Sequence, residues 1–203
     1  MKKQIFILLL AIPAVVSAQI GVKGGINFAN VTKVSSINNT SRSGFHVGAF
    51  ISPLSRGLFG SRTELIYSRQ GYDYKTNTNT GNVSLDYITL PQMMTINLTR
   101  LFQVQLGGQV SYLLNADVDS TGGTGGGTVN ALMDYYNRLD FGLSGGIEIH
   151  PKKNLLLGAR MNIGLTKLYK DAAPGSGSPS FVPKEAVKNN LFQVFIGYHF
   201  GRK

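Results

Sequence analysis

The chain has 203 residues, 42% of them hydrophobic and 15% charged, with a mean hydropathy of +0.01 and a net charge of +10. That hydrophobicity is too high and that charge too low for a disordered chain, and beyond the N-terminal segment no apolar run approaches the roughly 18 residues of a spanning helix. The lack of cysteine excludes a disulfide framework, a thiol nucleophile and a thiolate metal site.

The first element is an export signal. Lys2 and Lys3 precede an apolar run from Ile5 to Val16, and Val16-Ser17-Ala18 carries the residues a signal peptidase reads. Residues 1–18 are expected to be removed between Ala18 and Gln19, leaving 19–203 as one domain. The run is too short for a membrane anchor, and no cysteine follows it to carry a lipid. Loss of Lys2 and Lys3 lowers the net charge from +10 to +8. For an exported basic chain, acidic lipid and lipopolysaccharide are the expected partners, not nucleic acid.

From there a two-residue alternation recurs to the end of the chain. The first strand, about 20 to 29, sets Val22, Ile26 and Phe28 against Lys23, Gly25 and Asn27. Strands follow at about 44 to 53, 61 to 72 and 85 to 98. Pro91 predicts a bulge in the fourth, whose parity stays open because proline cannot donate a ladder hydrogen bond. In the fifth, about 102 to 113, Phe102, Val104, Leu106, Val110 and Tyr112 oppose Gln103, Gln105, Gly107, Gln109 and Ser111. The sixth, 139 to 149, the seventh, 155 to 165, and the eighth, 192 to 200, split in the same way.

Each run is about ten residues, the length with which a tilted strand crosses a bilayer. Long connections alternate with the short links 54–60, 99–101 and 150–154. Alternation alone also fits a soluble barrel with an apolar interior; the charged minority face decides for a polar lumen. Lys23, Arg62, Glu64, Glu148, Arg160 and His199 are expected to point inward as a mutually neutralising plug. Aromatic girdles are expected from Phe28, Phe45, Tyr87 and Tyr112 on the loop side and Phe102, Tyr198 and Phe200 on the turn side. The fold class is therefore all-β: an eight-stranded antiparallel transmembrane β-barrel with long extracellular loops and short periplasmic turns, in the outer membrane of a Gram-negative bacterium.

The segments "IGVKGGINFAN", "SGFHVGAF", "ELIYSRQGY", "YITLPQMM", "LDFGLSGGIEI" and "FIGYHF" occur in that order. Together they resemble the PorT-like, porin-family outer-membrane β-barrel domain over essentially the whole mature chain. The resemblance implies an eight-stranded barrel of OmpA or OmpX size, and it carries over no functional residues. It also implies delivery by the barrel-assembly machinery, which reads a terminal aromatic. Here Gly197, Tyr198 and Phe200 offer that signal, but Gly201-Arg202-Lys203 follow it.

Chemistry is sparse. The run from Gly122 to Gly127 has no lysine within it and no strand-to-helix context, so it reads as a loop and not a phosphate cradle. His46, His150 and His199 fall too far apart for one metal site. A serine hydrolase needs its triad at a lipid-accessible edge, which an inward His46 does not supply. No cofactor is expected. Tyr135, Tyr136, Lys167, Tyr169 and Lys170 decorate the last two long loops and are the candidates for a surface partner. The expected function is a non-enzymatic scaffold or surface-interaction protein acting through those loops. The alternatives are a component of a secretion or envelope-assembly apparatus and a lipid-modifying enzyme.

Overall fold

The computed structural model describes residues 18–31, 38–53, 57–75, 80–120, 136–169 and 188–200. Eight strands follow one another: β1 (Ala18–Val31), β2 (Asn38–Pro53), β3 (Phe59–Lys75), β4 (Thr80–Asn97), β5 (Phe102–Ser120), β6 (Leu139–Lys152), β7 (Leu155–Gly164) and β8 (Asn189–His199). Every neighbouring pair is antiparallel, and β1 pairs β8 from Gly21↔His199 to Val31↔Asn189, so the sheet closes on itself. Closure leaves no unpaired edge, the condition under which strands can lie in hydrocarbon.

The alternation expresses itself as an inside-out barrel. Val22, Ile26 and Phe28, then Leu139, Phe141, Leu143 and Ile147, and Phe192, Val194, Ile196, Tyr198 and Phe200 are exposed on the outer wall. The intervening Lys23, Asn27, Arg62, Glu64, Gln105, Glu148, Arg160 and Gln193 are buried. β4 resolves the same way: Thr89, Pro91, Met93 and Thr95 turn inward, while Leu90, Gln92 and Met94 face out.

Three expectations need correction. The bulge is not at Pro91. On the β3 side, pairing lapses between Thr63↔Gln92 and Ile66↔Thr89 and resumes in the same register, so the proline costs ladder bonds without inserting a residue. The extra residue is Leu114 in β5, passed over between Asp86↔Asn115 and Tyr87↔Leu113. Tyr87 does not join the outer girdle; it shares the inward parity of Thr89 and is buried in the lumen. Finally, β2 to β5 extend several residues beyond the expected bounds, which shortens the first two outer connections to 32–37 and 76–79. Only the last two, 121–138 and 165–188, remain long. Of the stretches that read as loops, 38–43, 73–75, 80–84 and 114–120 are strand ends standing above the bilayer.

Candidate functional site: the lumen and its periplasmic mouth

The lumen is filled in three layers. The layer nearest the periplasm is ionic. Glu64 on β3 receives Lys23 Nζ at 2.9 Å from β1 and both terminal nitrogens of Arg160 at 2.8 Å from β7. Arg160 also donates to Gln105 Oε1 at 2.6 Å. Beside this triad, Arg62 donates to Glu148 Oε1 at 2.6 Å, Ser52 Oγ at 3.0 Å and Gln103 Oε1 at 3.3 Å. Three cations against two carboxylates leave an excess positive charge, and two aromatic faces absorb part of it. Lys23 Nζ lies 3.8 Å from the centroid of Phe195, and the Arg62 guanidinium 4.7 Å from that of Phe50. Phe50, Phe195 and Leu156 pack together beneath the ions.

The middle layer is made of amides and hydroxyls, with Asn27 at its hub. Its Nδ2 donates to Phe45 O, Ser68 Oγ and Arg69 O at 2.9–3.0 Å. Its Oδ1 accepts from Gln193 Nε2 at 3.0 Å and lies 2.8 Å from His46 Nδ1. Gln193 Oε1 in turn accepts from Asn162 Nδ2, whose own Oδ1 accepts from Ser144 Oγ at 2.7 Å. Polar groups inside a closed barrel must find partners within it, and this chain of donors and acceptors supplies them for the amides, leaving His46 Nε2 without one among the described residues.

The outer layer is tyrosine. Tyr136 and Tyr169 form an isolated bridge just beyond β6 and β7, their rings 4.8 Å apart. The Tyr169 hydroxyl meets that of Tyr72 on β3 and lies 3.4 Å from that of Tyr136. Burial and its two tyrosine neighbours push the Tyr169 hydroxyl well above the usual tyrosine range. Asn137 fastens the pair by donating to Lys167 O at 2.8 Å and Tyr169 O at 3.2 Å. This corrects an expectation. Tyr136 and Tyr169 are candidates for a surface partner in the sequence, yet both are buried and cap the lumen. Lys167 is exposed as expected. Tyr135 and Lys170 lie outside the described residues, as does the run from Gly122 to Gly127.

Within the filled lumen a void of about 10 Å³ separates Gln70, Gln109 and Asn162, barely one water's room. The periplasmic mouth is different. A cavity of about 450 Å³ opens there, floored by Arg62 and Gln103 and ringed by Gln19, Asn97, Arg100, His150 and His199. It contains no carboxylate among its lining residues. His199 stands edge-on to Phe50 at 4.8 Å and beside His150 at 6.1 Å. His46 belongs to the middle layer, and no group of three or more metal-ligating side chains occurs among the described residues.

The ends of the chain's expected signals also have places. Ala18 begins β1 opposite Pro53. Tyr198 and Phe200 stack edge to face at 5.5 Å on the lipid side. Gly197, one residue before Tyr198, faces the lumen, where a Cβ would meet Leu156 Cδ1 at 2.8 Å. Gly201, Arg202 and Lys203 lie outside the described residues.

Sequence reasoning missed the aromatic platforms Phe50 and Phe195, the hub Asn27 and the tyrosine cap. Phe195 carried a signal: it is the lone phenylalanine on the inward parity of β8. The cap had none, because its members come from strand ends and loops where no alternation marks which way a side chain points.

An eight-stranded closed sheet, apolar outside and ionic inside, defines a small transmembrane β-barrel. The chain belongs to the outer membrane protein beta-barrel domain family, whose model matches residues 16–170. It is accordingly an outer-membrane protein of a Gram-negative bacterium. Among solved structures it is similar to Neisserial surface protein A, with 16% identity over 90% of this chain and 99% of that one and a TM-score of 0.53. It is also similar to Ail, the attachment invasion locus protein of Yersinia pestis, with 12% identity over 91% and 99% and a TM-score of 0.50. A second structure of Ail, bound to the heparin analogue sucrose octasulfate, gives 0.51. At such identities the likeness is one of fold. No curated protein matches the chain.

Proposed function

We propose that this barrel is a non-enzymatic and non-conducting membrane scaffold that works through its two ends and not through its bore. The observation carrying this reading is the ionic layer. Lys23, Glu64 and Arg160 are completely buried and mutually bonded across β1, β3 and β7. Separating them for an ion's passage would strand buried charge at several kcal/mol each. Planar-bilayer recording of the folded protein in high salt is the test. The expected result is no steady conductance; reproducible open steps would overturn the scaffold in favour of a pore.

A second reading, a component of a secretion or envelope-assembly apparatus such as the PorT-like resemblance implies, draws on the distribution of charge. Among the described residues, the acids other than Glu64 and Glu148, namely Asp73, Asp86, Asp117, Asp119 and Asp140, all lie towards the outer end. Arg100, Lys152 and Lys153 hold the periplasmic end, where the open cavity lies. A basic, carboxylate-free mouth favours an acidic periplasmic partner. Ail binds a sulfated heparin analogue; among the described residues the outer-end acids of this chain are matched by Arg42, Arg69, Lys75, Arg138, Lys167 and Lys188, with Arg42 against Asp73 and Arg69 against Asp86, so no excess of either sign marks that end for a polyanion. Reversing Arg100, Lys152 and Lys153 to glutamate should abolish a periplasmic function and leave outer-surface binding intact. Export by residues 1–18 with cleavage before Gln19, and insertion read from Gly197, Tyr198 and Phe200, belong to the same proposal. N-terminal sequencing of the mature protein tests the cleavage.

A further inference from the structure

The outer wall between the two aromatic bands is apolar except on β3 and β4, where Ser61, Thr63 and Gln92 are exposed. Gln92 on β4 and Thr63 on β3 are exposed, paired in register, and joined by a hydrogen bond from Thr63 Oγ1 to Gln92 Oε1 at 2.5 Å. Their depth follows from the register. Four residues below Gln92, Ile96 pairs with Phe59 of the periplasmic band; four residues above, Ile88 pairs with Tyr67 and Tyr112 of the outer band. Gln92 therefore sits close to the bilayer midplane, where no water or headgroup reaches. Thr63 satisfies its carbonyl oxygen. Its amide Nε2 finds no acceptor among the described residues, and an amide donor left unpaired in hydrocarbon is costly.

The next residue in the same row, on β5, is Gly108. Lumen-facing glycines are demanded by packing: a Cβ at Gly107 would fall 2.1 Å from Gln92 O, and one at Gly25 2.0 Å from Val194 O, whereas the lipid-facing Gly24 and Gly145 leave room for one, with nearest contacts of 3.4 Å. A Cβ at Gly108 would meet only Gly142 O, at an ordinary 3.7 Å. The barrel itself does not need glycine there. A bare backbone beside a lone amide is the surface that permits close approach of another protein in a membrane.

We propose that Thr63, Gln92 and Gly108 form the centre of an intramembrane interface with a second copy of this chain. The occupant follows from symmetry and from the amide. All copies are inserted in one orientation, so a two-fold axis along the membrane normal brings each residue to its own counterpart at equal depth. A glutamine amide is both donor and acceptor, so two Gln92 side chains complete each other: each Nε2 donates to the partner copy's Oε1, which keeps its bond from Thr63. A lipid chain offers no acceptor at that depth, and a different protein would need a polar group placed there independently.

The test exploits the absence of native cysteine. Met94→Cys, on the same face one step below Gln92, should form a disulfide-linked homodimer on mild oxidation in outer-membrane vesicles. Ile196→Cys on the opposite wall should not. In the Met94→Cys background, Gln92→Leu should reduce the cross-linked dimer roughly five- to ten-fold, the loss expected for two membrane hydrogen bonds. Gly108→Leu should reduce it with Gln92 intact. Mobility of unboiled samples verifies that each variant is folded. Equal cross-linking at Met94→Cys and Ile196→Cys, undiminished dimer in folded Gln92→Leu, or a cross-linked product with a different protein would each overturn the proposal.

Discussion

Glu64 is the side chain on which the ionic layer depends, because it alone answers two buried cations, Lys23 and Arg160. Glu64→Gln should destabilise the barrel by about 3 to 5 kcal/mol, the usual result of leaving buried charge without its partner. Urea unfolding in lipid vesicles measures it. Glu148→Gln should cost less, since Glu148 pairs chiefly with Arg62, which borders the open periplasmic cavity where water can replace the lost acceptor. Lys23→Met makes the opposite point. It removes the surplus cation, leaves the two-bonded Arg160–Glu64 pair intact, and lays a thioether against Phe195. Its stability should stay within about 1 kcal/mol of the parent, as replacement of buried ions by apolar groups often does. A large loss would mean that Lys23 is essential to the pairing and not in excess.

At the scale of strands, parity governs what each position tolerates. Met161 on β7 faces lipid, and arginine there should cost about 2 to 4 kcal/mol. Thr95→Arg on β4 points into the periplasmic cavity and should be accommodated with little loss. Neighbouring glycines of β1 provide a sharper comparison. Gly25→Ala would drive a methyl into Val194 O and Phe195 Cα across the closing seam, whereas Gly24→Ala meets only His46 O at 3.4 Å. The first should cost about 1 to 3 kcal/mol and the second little, read from the temperature at which unboiled protein loses its folded mobility. Parity was legible in the sequence wherever one strand face meets lipid and the other the lumen, as in β5, β7 and β8. It faded above the bilayer, where the outer face of β2 to β5 no longer meets lipid and the inner face buries apolar Val83, Leu85 and Ala116, so the contrast between the faces is lost. The lumen candidates Lys23, Arg62, Glu64, Glu148 and Arg160 could be named as inward for the same reason. Which carboxylate takes which cation could not, because that depends on strand stagger, which composition does not encode.

For the molecule as a whole, closure by β1 and β8 predicts that the protein fractionates with outer membranes and migrates differently before and after boiling, since no free edge lets detergent begin to unzip the sheet. Recovery as a soluble periplasmic protein would contradict the architecture. The ionic layer adds a consequence in time. Its bonds join residues far apart in the chain: Lys23 to Glu64, Arg62 to Glu148, and Glu64 to Arg160. While the sheet is still open, all five side chains can remain hydrated, and they need to surrender that water only when the last strand docks on the first. Insertion is therefore spared the penalty of carrying bare charge through the membrane. Exit is not, because reopening the seam must first admit water to a sealed set of ion pairs. The layer acts as a latch that is light to close and heavy to open. Weakening it through Glu64→Gln should accelerate unfolding while leaving the insertion rate nearly unchanged.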